Sequence, residues 1–141
     1  MRAHFGGANL GGTNFSHCLM AEANLMNALL TGAILRKATL NDAAMSGCRC
    51  FQSEFVNASL VRADLTHASL VESTFKGANL SGCSVYGISV WSSVFDGAVQ
   101  ADLLITPESD PPNRTDNIVE ASSNSWAIHT RAKGCSRRNP R

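Results

Sequence analysis

Ala58-Ser59-Leu60-Val61-Arg62-Ala63-Asp64-Leu65-Thr66-His67-Ala68-Ser69-Leu70 decides the fold of this chain. A large apolar residue stands at 60, 65 and 70, and an alanine stands two places before each. The spacing runs outward in both directions without a slip. Upstream it takes in Phe5, Leu10, Phe15, Met20, Leu25, Leu30, Leu35, Leu40, Met45, Cys50 and Phe55; downstream it takes in Phe75, Leu80, Val85, Val90 and Phe95. The partner two places earlier is Ala, Ser, Thr or Cys throughout, except at Ile88. The other three positions of each unit are mostly Gly, Asn, Ser, Thr or charged.

Neither standard period fits. An amphipathic helix needs apolar residues at i, i+3, i+4 and i+7, and a half-buried strand needs strict alternation. Here the steps alternate between two and three. A step of two is one strand-like pleat that puts both residues on one face. A step of three is a turn that restores that face. Such a chain winds into a coil with one small and one large side chain inside per segment.

The phenylalanines set the size of the coil. Phe15, Phe55, Phe75 and Phe95 share a register of twenty, with Leu35 between the first two, and their small partners include Ser53, Ser73 and Ser93. Twenty residues per coil means four sides of five residues, with the rings stacked inside one side. Each inward Leu or Phe contributes roughly 1.5–3 kcal/mol by burial, and ordering costs roughly 1.5 kcal/mol per residue. Nearly every unit must therefore be filled, and a buried charge at mid-coil Leu65 would be intolerable.

The units Ala8-Asn9-Leu10-Gly11-Gly12, Ala23-Asn24-Leu25-Met26-Asn27, Ala63-Asp64-Leu65-Thr66-His67 and Ala78-Asn79-Leu80-Ser81-Gly82 resemble the pentapeptide repeat family, whose consensus is A-(D/N)-L-x-x. The resemblance covers about residues 3–98. It implies an all-β fold, a right-handed quadrilateral β-helix. At twenty residues per coil this is about 4.75 coils, roughly 23 Å long at strand spacing.

The repeat loses its register after Phe95, where Gln100 takes a large position. Residues 99–106 read as a cap or final strand, with Leu103 and Ile105 alternating. From Pro107 to Arg141 the chain is rich in Pro, Ser, Asn, Arg and Gly, and reads as a disordered tail in which Ile118-Val119 is too short to form a core. The stretch from Gly82 through Trp91 and Leu104 to Ile118 is similar to the segment that ends the repeats of some longer bacterial family members. In those a separately folded region follows, so the resemblance implies a truncated or diverged relative.

Composition narrows the function. The 141 residues carry 12 Lys/Arg against 11 Asp/Glu, a net charge of +1. That balance leaves no electrostatic footprint for nucleic acid or an anionic membrane. No apolar run is long enough to span a bilayer, and the N-terminus lacks the apolar core of a signal peptide. An odd count of 5 cysteines fits no disulfide framework, which points to a reducing compartment, the cytoplasm.

No constellation carries chemistry. Cys48 and Cys50 point into the coil as small hydrophobes, while Cys18 and Cys83 lie in other columns. Exposure makes Cys135 the reactive thiol. His4, His17 and His67 fall in three different columns. Neither a catalytic, a metal nor a cofactor-binding residue is expected, so the protein reads as a non-enzyme. Among outward charges, Glu22 and Asp42 share a column, and the next member, Arg62, offsets their repulsion.

A structural scaffold or protein–protein interaction module remains. The family supplies an alternative, since some members resemble duplex DNA and bind type II topoisomerases, protecting them from inhibitors. That mimicry needs an acidic surface, whereas residues 1–97 hold equal numbers of acidic and basic residues. The expected contact surface is the column Gly11, Thr31, Phe51, Val71, Trp91, with Tyr86 on the adjoining side. Stacked apolar side chains imply a protein partner, self-association or a cover, and Leu103, Leu104 and Ile105 folding back over Trp91 would be such a cover.

Overall fold

A computed structural model describes residues 2–107, 110–119, 121 and 122. The chain is a β-helix in which the residue between the two inward positions of each five-residue unit forms a parallel bridge with the residue twenty places on. The series runs every fifth residue from His4↔Asn24 to Ser84↔Leu104.

One unit explains the rest. In Ala28-Leu29-Leu30-Thr31-Gly32, Ala28 and Leu30 are buried. The Leu29 N–H donates to the Ala8 carbonyl one coil before (2.9 Å), and the Leu30 N–H donates to the Arg49 carbonyl one coil after (2.7 Å). The Gly32 N–H reaches the Phe51 carbonyl (2.9 Å), and the corner closes with Ala33 N–H to Leu30 carbonyl (2.9 Å). Gly32 holds φ +68°, as the second corner position requires, and the corresponding residue of every unit from Gly7 to Asp102 also has positive φ.

The consensus Asn or Asp has a job at these corners. The side-chain oxygens of Asn9, Asn14, Asn24, Asp64 and Asn79 each accept the N–H of the first corner residue two places on. Within the coil that amide has no backbone acceptor.

The core is two inward residues per unit. From Ala23 to Val85 the inward positions are almost wholly buried. Phe55, Phe75 and Phe95 stack inside one side, with centroids 4.6 and 5.1 Å apart and ring planes within 8° of parallel. Phe15 lies in the same column but contacts Phe5 (6.0 Å), because Leu35 separates it from Phe55. The serines paired with the rings keep their hydroxyls satisfied. Ser53 Oγ donates to the Leu30 carbonyl (2.6 Å), Ser93 Oγ to the Leu70 carbonyl (2.5 Å), and Ser73 Oγ to the Cys50 carbonyl.

The C-terminal end departs from the sequence reading. The coil geometry does not stop at 98: Val99 and Leu104 still bridge to Asn79 and Ser84. Leu103 and Ile105 fill the inward positions of the next unit. Strand β1 (Leu103–Leu104) pairs antiparallel with β2 (Arg114–Thr115). Within 110–122 the described residues form a cap where a disordered tail is expected. Ile118 is fully buried, and Ala121 N–H donates to the Asn117 carbonyl (3.0 Å) in a single helical turn. Ile118 needs no core of its own, because it plugs the open end of one that already exists. The remainder of the expected tail, including Cys135, lies outside the described residues.

Candidate interaction surfaces

The predicted column is in register. Glu72 N–H donates to the Trp91 carbonyl (2.8 Å) and Gln52 N–H to the Val71 carbonyl (3.1 Å). These bonds set residues 51, 71 and 91 one above another, about 4.8 Å apart. Phe51 is 38% exposed and Trp91 78%, while Val71 is half-buried. The expectation that Leu103 to Ile105 would cover Trp91 is overturned. Leu103 and Ile105 turn inward instead, where burial contributes more than a patch on the outer face.

Tyr86 is half-buried and meets the His67 ring edge-on at 5.4 Å. His67 lies across Gly87, where an added Cβ would come within 2.2 Å of its Nδ1. Tyr86 is thus tied to the His67 column and is not part of the Phe51 column.

Three pairs of opposite charges close on the outside of the coil. Arg62 binds Asp42 through two bonds of 2.8 Å, Arg2 meets Glu22 at 2.6 Å, and Arg36 meets Glu54 at 2.5 Å. The hydrogen bonds and charge of Arg62 hold the Asp42 carboxyl below its ordinary range. The Glu22–Asp42 repulsion is therefore offset from both ends of the column. Arg2 is legible by the same twenty-residue arithmetic, whereas Arg36–Glu54 is a diagonal pair eighteen residues apart that column counting misses. A groove of about 620 Å³ runs beside Arg2, Glu22, Asn24 and Asp42, but its lining includes one of these closed pairs.

Of the described cysteines, Cys48, Cys50 and Cys83 keep to the interior and Cys18 is half-buried. Cys48 and Cys50 are buried with their sulfurs 3.3 Å apart. The contact with Cys48 and burial push the Cys50 thiol well up. Cys83 donates to the Leu60 carbonyl (2.9 Å), and its thiol is pushed up to about 12, chiefly by burial. Such thiols are poor nucleophiles. Among the described residues no three His, Cys, Asp or Glu side chains converge as a metal site, and no helix is long and apolar enough to cross a membrane.

A second surface has no counterpart in the sequence reading. A groove of about 440 Å³ follows the last coil past Ile88, Val90, Trp91, Ser92 and Ser93 and is walled by Val119 and Ser122 of the cap. The described residues of its lining carry no charge. The signal that could have found it is the loss of the repeat beyond residue 105, which leaves the edge of the last coil without a successor.

Comparison with known proteins agrees with this architecture. A family model for pentapeptide repeats matches in 8 copies, over residues 1–36, 21–49 and 48–85. A pentapeptide repeat protein from the Arabidopsis thaliana thylakoid lumen superimposes with a TM-score of 0.57 at 22% identity, over 75% of this chain and 72% of that one. The pentapeptide repeat protein Rfr23 from the cyanobacterium Cyanothece 51142 gives 0.55 at 18% identity, over 67% of this chain and 85% of that one. At these identities the likeness is one of fold. No curated protein matches the chain significantly.

Proposed function

We propose that this protein, which belongs to the pentapeptide repeat family, is a non-enzymatic scaffold that presents the sides of its coil to a protein partner. The coil is right-handed and four-sided, a reading supported by the unbroken twenty-residue register of its bridges. The protein works in the cytoplasm, a reading supported by described cysteines that are all unpaired.

The observation that carries the proposal is the Phe51–Val71–Trp91 column. Two aromatic side chains and a valine stand in register on the outside of a rigid lattice. Aromatic residues held by a fixed backbone lose little entropy on binding and supply most of an interface's energy. Phe51→Ser with Val71→Ser tests it, because both side chains lie outside the core. The double variant is expected to keep the melting curve of the parent and to lose its partner, or its self-association, by light scattering and pull-down. Retention of every partner and of the same oligomeric state removes the column from consideration.

The charge pairing speaks against the alternative of a DNA-like surface, since mimicry requires unpaired carboxylates in phosphate-like rows. The protein is expected to give no dose-dependent protection of a type II topoisomerase from quinolones in a supercoiling assay.

A further inference from the structure

Opposite charges flank the ladder of Phe51 and Val71. In Arg49-Cys50-Phe51-Gln52, Arg49 lies on the side that precedes the corner, and Gln52 leads into the side that follows it. One rung on, Ser69-Leu70-Val71-Glu72 places a neutral residue before the corner and a carboxylate after it. Gln52 Nε2 donates to Glu72 Oε2 (2.9 Å), which holds the carboxylate toward the rung that carries Arg49. Arg49 and Glu72 are both exposed. Among the described residues, no acidic group pairs with Arg49 and no basic group pairs with Glu72. A positive flank, an apolar ladder and a negative flank thus share one corner at nearly one height.

Resting on the side-on reading of that column, we infer that its partner is a second copy of this chain, docked side by side about a two-fold axis parallel to the coil. Such an axis sets the flank before the corner of one copy against the flank after the corner of the other, at equal height. Arg49 of each copy then meets Glu72 of the other, so two ion pairs close together, and Phe51 and Val71 meet their own counterparts on the axis. The antiparallel docking fails on charge. An axis across the coil at the level of Val71 sets each flank against its own kind, with Glu72 facing Glu72 and Arg49 facing Ser89, and like charges directly opposite are destabilising. A second copy supplies both halves of the pattern at the right height. The contact runs along one corner, so the association is weak and concentration-dependent.

The test is light scattering and sedimentation of the full chain over a concentration series, with charge reversal at both flanks. The parent is expected to pass from monomer to dimer as concentration rises. Arg49→Glu alone and Glu72→Arg alone should each weaken dimerisation at least about tenfold, and so should raising salt from about 0.05 to about 0.5 M. Arg49→Glu with Glu72→Arg should restore the dimer, because the two flanks then match again with their signs exchanged. Both positions are exposed, so the melting curves of all three variants should follow the parent. A parent that stays monomeric at every concentration overturns the dimer but leaves the column open to a different protein. A dimer that survives Phe51→Ser with Val71→Ser overturns the dimer described here and the column reading with it. A dimer that needs Phe51 and Val71 but ignores both reversals, or is not restored by the double reversal, overturns the parallel pairing alone.

Discussion

The coil and the cap solve the same problem by different means. In the coil, the open amides of one rung are met by the carbonyls of the next, and the solution repeats every five residues. In the cap, the last amides are met by a carbonyl at Asn113 and a carboxylate at Asp116. Gln100 sits at an inward position and uses its side-chain oxygen to accept the Ile118 N–H (2.9 Å). The first solution depends on neighbours of the same type, so losing one rung exposes two others. The second depends on individual residues, so its parts can be removed one at a time.

The comparison predicts a hierarchy of damage. Leu65→Asp buries an unpaired carboxylate with full coils on both sides, and should abolish the cooperative melt seen by circular dichroism, a loss of more than about 4 kcal/mol. An unchanged melting curve would break the picture of the coil as one lattice. Ile118→Ala should cost about 2–4 kcal/mol in the cap. Its loss should appear as early exchange of the Ile105 and Leu104 amides, while the amides of Leu35 to Leu65 stay protected. If coil and cap amides lose protection together, the two regions are a single cooperative unit and the distinction fails.

Asp116→Ala removes the acceptor of Asp102 N–H and should cost about 1 kcal/mol, whereas Asp116→Asn retains an oxygen and should recover most of it. At neutral pH the smallest effect belongs to the thiols. The Cys83 thiol ordinarily titrates near 9.0 and is pushed up to about 12 in the folded chain. The neutral form is therefore favoured by folding, and its contribution is complete below pH 9 and fades as pH rises toward 12. The urea midpoint should fall over that window, and Cys83→Ala should fall less steeply. Equal slopes would mean that Cys83 ionises freely in the fold.

The legible part of the molecule is the part that repeats. Inward and outward residues follow from a step of two and a step of three. The size of the coil follows from Phe55, Phe75 and Phe95, because rings of that volume stack only with neighbours of their own height. Arg62 opposite Asp42 follows from the same arithmetic. Ile118 was illegible because two apolar residues in a polar stretch say nothing about an existing core end waiting for a plug.

The bridge register from residue i to i+20 gives the outer surface a coordinate system. Moving along the chain by twenty residues climbs one rung, and moving by five passes to the neighbouring side. A deletion of five residues between Phe51 and Val71 would leave every inward side chain pointing inward, yet it would carry Val71 and Trp91 away from Phe51 to the neighbouring side. A deletion of twenty would keep the column and shorten it. Insertions and deletions in this chain therefore act as permutations of its faces. Its surface can be rewritten by gaining or losing whole units while the interior stays the same.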